Sequence, residues 1–359
     1  VTVLHVVPGD LMRGAQVVAR NLRERLDREH DEHQIVTLFA GQPAVLGNAQ
    51  RLDVRPGRAR RAGFDPRAAV ALRRAVRRLA PRAIVAHGSE PLKYAVAAAG
   101  STPIVYYRFG VATPAANRGW RRRFHRALVS RAALVVAISD DVRDEVVDLL
   151  GVEPDRVVMV PNGRDPEIYF PAAERVAPAA PHLIFVGHLT RTKRPFAFLD
   201  LVSELRRRGT AVTASIVGDG PLLADVVKAA PADVEVLGAR VDVPDLLRTA
   251  DVFVFSSVPE SEGFPGVLIE AAMTGLPIVT TRVPGTMQAV VDGVTGIVVA
   301  PDDLAGLCDA VDQLVRDVDR RVSMGAAGRR HAVSGFALGD VVERWREVLA
   351  GVAAGRDGS

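Results

Sequence analysis

Residues 257–275 read SVPESEGFPGVLIEAAMTG. They follow the apolar run 252–256 and end in Thr274-Gly275, a helix C-terminus signal, so the order is strand, loop, helix. Gly263 and Gly266 let the backbone come close to a ligand, and Pro265 suits the first turn of a helix whose free N–H groups face the loop. That arrangement is suited to an anion. Glu262 lies in the loop, whereas Glu270 falls inside the helix at the margin of its apolar stripe, where a carboxylate needs hydroxyl or cationic partners. One reading gives Glu270 the two hydroxyls of a ribose and Glu262 the hydroxyls of a sugar. The other makes both ordinary solvated glutamates, and spacing alone leaves the two open.

Working outward, residues 187–195, GHLTRTKRP, follow the strand predicted at 182–186 and precede a helix. Cations are thereby placed at the carboxyl end of a strand, where open α/β sheets bind ligands. Arg191 and Lys193 are suited to stabilise the charge that develops on a departing diphosphate, and Arg194 is read as solvated. A merely charged turn is the alternative. Further strands are expected at 211–217, 234–237, 252–256, 278–281 and 296–299, alternating with helices. The first half shows the same alternation: strands at 3–7, 34–39, 83–86, 104–107 and 134–138, with a helix at 16–26. Both halves are therefore expected to be doubly wound parallel sheets. The Pro- and Ala-rich residues 171–181 read as a linker between a domain at 1–170 and one at 171–338, followed by a helix at 339–353 and a frayed tail from Gly351.

Other patterns are weaker. Arg13-Gly14-Ala15 joins the first strand to its helix, a place where a turn lets N–H groups face phosphate. Residues 218–223, GDGPLL, open like a dinucleotide fingerprint but put Leu223 where the third glycine belongs. Asp317-Val318-Asp319 resembles a metal-binding acidic pair yet lies in a polar stretch of predicted helix surface. No His-x-x-x-His pair and no Gly-x-Ser-x-Gly turn occurs, so metal-assisted hydrolysis and acyl transfer lack their parts. Cys308 is the only cysteine, which excludes an intrachain disulfide and Cys-based zinc sites. No apolar run reaches the roughly 18 residues of a membrane span, and residues 1–7 read as a strand, so a cytosolic protein is expected.

Charge is uneven. Residues 1–170 carry 27 Lys+Arg against 18 Asp+Glu, and the remainder carries 19 against 24. Within the basic half, Trp120, Phe124 and Leu128 recur at helical spacing beside Arg121, Arg122, Arg123 and Arg126. That surface suits anionic lipid headgroups at the inner face of a membrane, or is simply a solvated face in an Arg-rich chain. Nucleic acid is not expected, because neither an aromatic-rich nor a helix-turn-helix pattern accompanies the charge.

In order along the chain, VPGDLMRGAQ, VPNGRDPEIYF, FVGHLTRTKRP, IVGDGP, ADVFVFSS and ESEGFPGVLIEAAMTGLPIVTTRVPGTMQAVVDGVTGIVV resemble the successive motifs of glycosyltransferase family 4. The most specific part is Glu262-x7-Glu270 followed by Gly285, Gly293, Thr295 and Gly296. The resemblance implies a GT-B fold: two Rossmann-like domains facing a central cleft, with the last helix, around Trp345, crossing back to the first. It implies a metal-independent, retaining hexosyltransferase that needs no cofactor and takes its sugar from a UDP- or GDP-sugar. The departing diphosphate helps to take the proton of a hydroxyl acceptor. Glu270 would bind the ribose, Glu262 the transferred sugar, and Arg191 and Lys193 the diphosphate. The N–H groups of Phe264, Gly266 and Val267 would contact sugar and phosphate, residues from Leu237 to Val241 would line the base, and Gly14 would approach the phosphates on domain closure. His87 matches a family histidine near the acceptor. Arg108 stands where many members place another histidine, and Arg13 and Gln16 stand where many show Gly and Glu.

The acceptor expected on this reading is a cell-envelope glycan or lipid-linked sugar, with a small natural product as the alternative. A sugar-nucleotide epimerase of the same fold and a silent nucleotide-sugar sensor are the rivals.

Overall fold

The computed structural model describes residues 2–9, 14–27, 32–40, 46, 48–61, 63–111, 119–173, 180–259 and 262–357. The chain divides into two compact units, one of Val1–Asn162 with Asp340–Ser359 and one of Gly163–Gly339.

The first unit holds strands β1 Thr2–Gly9, β2 Glu32–Phe39, β3 Gln50–Val54, β4 Ala83–His87, β5 Ile104–Arg108, β6 Leu134–Ala137 and β7 Val157–Met159. Among the described residues they form a seven-stranded sheet in the order β3-β2-β1-β4-β5-β6-β7, every pairing parallel. Runs such as IVYYR in β5 are buried throughout, as expected of strands covered on both faces. Strand order reverses between β1 and β4, which makes the carboxyl ends of those two strands the switch point where such sheets bind ligands. His87 is the last residue of β4 and sits there.

The second unit holds β8 His182–Val186, β9 Thr213–Val217, β10 Val234–Val236, β11 Val252–Phe255, β12 Ile278–Thr281 and β13 Gly296–Val299. Their order is β10-β9-β8-β11-β12-β13, again parallel. Leu183, Phe185, Ile216 and Val254 join Phe198 and Leu205 of the helix Pro195–Arg207 in one core. Here the order reverses between β8 and β11. Those are the two strands that lead into residues 187–195 and 256–265.

Several boundaries differ from the sequence reading. Strands β3 and β7 were not foreseen: both are sheet edges, QRLDV carries charges and only half alternates, and VVM is three residues long. Residues 163–170 go with the second unit rather than the first. The Arg164 N–H donates to Phe336 O at 2.9 Å, the Leu338 N–H donates to Arg164 O at 2.8 Å, and the Arg248 guanidinium lies 4.3 Å from the Phe170 ring centre. Most of the expected linker lies outside the described residues. The last helix is Leu338–Asp357, so the stretch from Gly351 continues it instead of fraying, in keeping with the helix preference of Ala353 and Ala354. From Asp340 onward it belongs to the first unit, where Trp345 is fully buried with its ring edge-on to Tyr107 at 5.0 Å.

The dinucleotide-like glycines serve packing. A side chain on Gly218, whose φ is 144°, would meet Gly187 O at 1.9 Å, and one on Gly220 would meet the backbone of Leu189 at 2.5 Å. These two glycines thus let residues 218–220 lie directly on the turn after β8.

Candidate functional site

The turn after β8 is sewn to the end of β11. Thr192 O accepts from the Ser257 hydroxyl at 3.1 Å and from the Val258 N–H at 2.9 Å, while the Ser256 hydroxyl donates to Arg194 O at 3.0 Å. These bonds carry Lys193 over the Phe255 ring, 5.2 Å from its centre, and into an ion pair with Glu262. The Ser257 hydroxyl also lies 3.2 Å from that Glu262 oxygen, so its single hydrogen is shared between the carboxylate and Thr192 O. A cation and a carboxylate 69 positions apart in the sequence therefore meet at the switch point. Burial lowers Lys193 to about 8, in spite of the carboxylate beside it. Arg191 is exposed at the mouth of the turn and makes no ion pair among the described residues. Arg194 is not solvated as expected. It takes the left-handed conformation at φ 52° and donates to Asp302 Oδ1 at 3.1 Å and to Pro301 O, so it fastens the loop after β13.

The helix Gly266–Met273 begins directly after this loop, with Pro265 at its N-cap position and no side-chain cap. The Leu268 N–H donates to Pro265 O at 3.0 Å, whereas those of Gly266 and Val267 have no partner among the described residues. Two donors at the positive end of a helix are thus left for an anion. Phe264 is buried and backed by Gly285: a side chain there would meet the Phe264 ring at 2.6 Å and Gly263 O at 3.0 Å, at a φ of 77°. Gly285→Ala is expected to lower the unfolding free energy by about 1–3 kcal/mol, read from the denaturant midpoint.

Glu270 has partners that the sequence did not reveal. Arg164 Nε donates to Glu270 Oε1 at 2.6 Å, and Tyr169 hydrogen-bonds the same carboxylate. Burial first, and the Glu270 charge second, raise the Tyr169 phenol. The Arg164 guanidinium also lies on Gly266, where any side chain would meet Nη2 at 2.2 Å. A side chain at position 266 would have to displace the Arg164 guanidinium.

Of the remaining candidates in this unit, Leu237 is half-buried, its N–H donating to Ile216 O at 2.9 Å, and Val241 is fully exposed. Asp317 caps the helix Val318–Phe336 by accepting from the Arg320 N–H at 2.9 Å, and Asp319 lies in the first turn of that helix, where a negative charge is favoured. In the first unit Gly14 opens the helix Gly14–Leu26, while Arg13 lies outside the described residues. Arg108, the last residue of β5, is buried and donates to Glu145 Oε1 at 2.8 Å and to Tyr106 Oη at 3.5 Å. It is a fixed, paired cation. Burial opposes that charge, but Tyr106 and Glu145 outweigh it and hold Arg108 above its ordinary value. His87 is 1% exposed and bonded to His5.

Two all-parallel Rossmann-like units, the second with a cation–carboxylate pair and an uncapped helix at its switch point, define a GT-B fold. The family models agree. "Glycosyltransferase Family 4" matches residues 12–168 and "Glycosyl transferases group 1" matches residues 180–317. The chain belongs to glycosyltransferase family 4. Among its relatives, the D-inositol 3-phosphate glycosyltransferase of Paenarthrobacter aurescens is 32% identical over 66% of this chain and 62% of its own length. The alpha-maltose-1-phosphate synthase of Mycolicibacterium smegmatis is 30% identical over 64% of this chain and 66% of its own length. The match thus spans somewhat under two thirds of each relative. Of solved structures, Anabaena HepE in complex with UDP and glucose superposes with a TM-score of 0.80 at 19% identity, covering 97% of this chain and 99% of that one. Sucrose-phosphate synthase from Thermosynechococcus elongatus gives 0.84 at 16% identity, covering 99% of each. At such identities the likeness establishes the fold.

Proposed function

We propose that this chain transfers a hexose-type sugar from a nucleotide diphosphate sugar, a UDP-sugar before a GDP-sugar, to a hydroxyl acceptor, with retention of configuration and without a metal. The observation that carries the reading is the meeting of Lys193 and Glu262 beside the free N–H groups of Gly266 and Val267. A diphosphate gains negative charge as the glycosidic bond breaks, and a buried ammonium and fixed backbone dipoles stabilise that charge far better than water does. Arg191 adds a mobile cation at the rim. Glu262 takes the sugar hydroxyls and Glu270 the ribose diol. UDP is favoured because HepE was solved with UDP and with UDP-glucose. Calorimetric titration of UDP, GDP and ADP in EDTA tests the donor site. One nucleotide is expected to bind the wild type and to bind Glu270→Ala roughly 30- to 1,000-fold more weakly; no binding by any of the three would sink the reading.

A membrane-linked glycan or lipid-linked sugar is the proposed acceptor. In the helix Gly119–Val129, Trp120 is 72% and Phe124 50% exposed, and Arg121, Arg122, Arg123 and Arg126 are exposed around them. An aromatic stripe flanked by guanidinium groups suits an anionic headgroup layer, so peripheral contact is proposed here. The double variant Trp120→Ala, Phe124→Ala is expected to bind vesicles containing phosphatidylglycerol roughly tenfold more weakly in a sedimentation assay. A small soluble acceptor is the second reading, favoured by the names of the two relatives above, and wild-type protein that ignores such vesicles would select it.

A further inference from the structure

Three histidines of the first unit form one chain across its sheet. His87 ends β4, His5 is central in β1, and His33 enters β2. His5 pairs in register with Val85 and Ile35, so each of the other rings lies two positions along from the residue beside it, on the same sheet face. His5 Nδ1 lies 2.9 Å from His87 Nε2, and His5 Nε2 lies 3.0 Å from His33 Nδ1. All three are buried. The remaining nitrogen of His87, Nδ1, is sealed and has no hydrogen-bond partner among the described residues.

A neutral imidazole has one N–H and one lone pair. Leaving a buried N–H unpaired is rarer and costlier than leaving a buried lone pair unused. The lone pair of His87 therefore sits on Nδ1, and its hydrogen on Nε2 is donated to His5 Nδ1. That forces the hydrogen of His5 onto Nε2, where it is donated to His33 Nδ1, and the hydrogen of His33 onto Nε2. A cation is opposed along the chain: burial first and the neighbouring rings second push His5 well below its ordinary value, and burial brings His87 to about 3. The charged groups that line the two cavities beside His33 are Arg23, Glu24, Asp27, Arg82 and Arg346 from other elements and Glu32 from its own strand.

We infer that His5 and His33 are positioning residues that hold His87 in its Nε2–H tautomer, so that Nδ1 serves as an acceptor for a substrate hydroxyl at the switch point. The hydroxyl rests on the transfer reading above; the tautomer does not. Phe109 stacks on the His87 ring at 6.2 Å and lies against Gly88; with Nδ1 sealed, a neighbouring group must move before a hydroxyl reaches it.

Nitrogen-15 imidazole NMR of the full chain tests the tautomer without any ligand. The wild type is expected to show His87 protonated on Nε2 alone between pH 8 and pH 5.5, roughly an ordinary histidine's range of titration. His33→Asn, whose Oδ1 stands where Nδ1 did, is expected to preserve that state. His33→Leu removes the acceptor of His5 and leaves one N–H unpaired whichever way the chain runs, so the single Nε2–H state of His87 is expected to give way to a mixture with Nδ1–H, raising the KM for acceptor about twofold with UDP affinity unchanged. An Nδ1–H on wild-type His87, or a His33→Leu variant that keeps the Nε2–H state alone, would overturn the tautomeric chain; a mixture with an unchanged acceptor KM would overturn the hydroxyl contact. If His33→Leu does not fold, wild type and His33→Asn decide the tautomer between them. Failure of the wild type to bind UDP would remove the transfer reading and leave the tautomer result untouched.

Discussion

Lys193→Met is expected to lower kcat by about 10²–10³-fold while nucleotide affinity changes far less, as is usual when one donor to a developing oxyanion is lost. The methionine keeps the length and apolar body of the side chain over Phe255, so the loss is of charge and not of packing. The pH dependence has a definite sign. With its value lowered to about 8, Lys193 gives up its proton as pH rises through that value, and kcat/KM should fall on the alkaline side of it. A bound diphosphate restores part of the favour for the cation, which moves the same limb in kcat to higher pH. Stability moves the other way. The unfolded chain keeps the ordinary lysine value and binds more protons between about 8 and that value, so this group's contribution to folding rises with pH across the window. Lys193→Arg should flatten the alkaline limb, because a guanidinium stays charged. An alkaline limb that survives in Lys193→Arg would take Lys193 out of the chemical step.

How far the sequence could be read depended on the range of each interaction. Parallel strands announced themselves as short β-branched runs, and the loop after β11 as glycines and proline at fixed offsets, because both signals are local. Edge strands β3 and β7 did not: QRLDV shows only Leu52 and Val54 as apolar groups on its half-buried face, and three residues are too few for a period. Lys193 and Glu262 belong to separate motifs, and their contact follows from β8 and β11 being neighbours at the reversal of strand order, a fact of topology. The partners of Glu270 were beyond reach for the same reason, since Arg164 is 106 positions earlier and nothing around it is periodic. Arg108 was legible as a departure from the family pattern. Its partner Glu145, on the helix Asp140–Leu150, was not. In each case the residue type was legible and the partner was set by which elements the sheet brings side by side.

Glu270→Ala is expected to weaken nucleotide binding by about 2–4 kcal/mol, roughly 30- to 1,000-fold in Kd. The carboxylate is held from one side by Arg164 and Tyr169, which fixes its plane before any ligand arrives, so little ordering remains to be done on binding. A discriminating pair of ligands is UDP and 2′-deoxy-UDP. Wild type should prefer UDP, and the variant should bind the two alike, because the hydroxyl that distinguishes them has lost its acceptor. Arg164 complicates the magnitude in a useful way. Freed from Glu270, its guanidinium stands against Gly266 beside the N–H groups proposed for the diphosphate, where it can recover part of the lost affinity. Uridine, which has no diphosphate, should therefore suffer the larger proportional loss in Glu270→Ala. Arg164→Ala separates the two effects: Glu270 keeps only Tyr169, and affinity for uridine and UDP should fall together by about tenfold. If UDP falls and uridine does not, Arg164 acts on the phosphates directly. If neither falls, Glu270 does not depend on it for orientation.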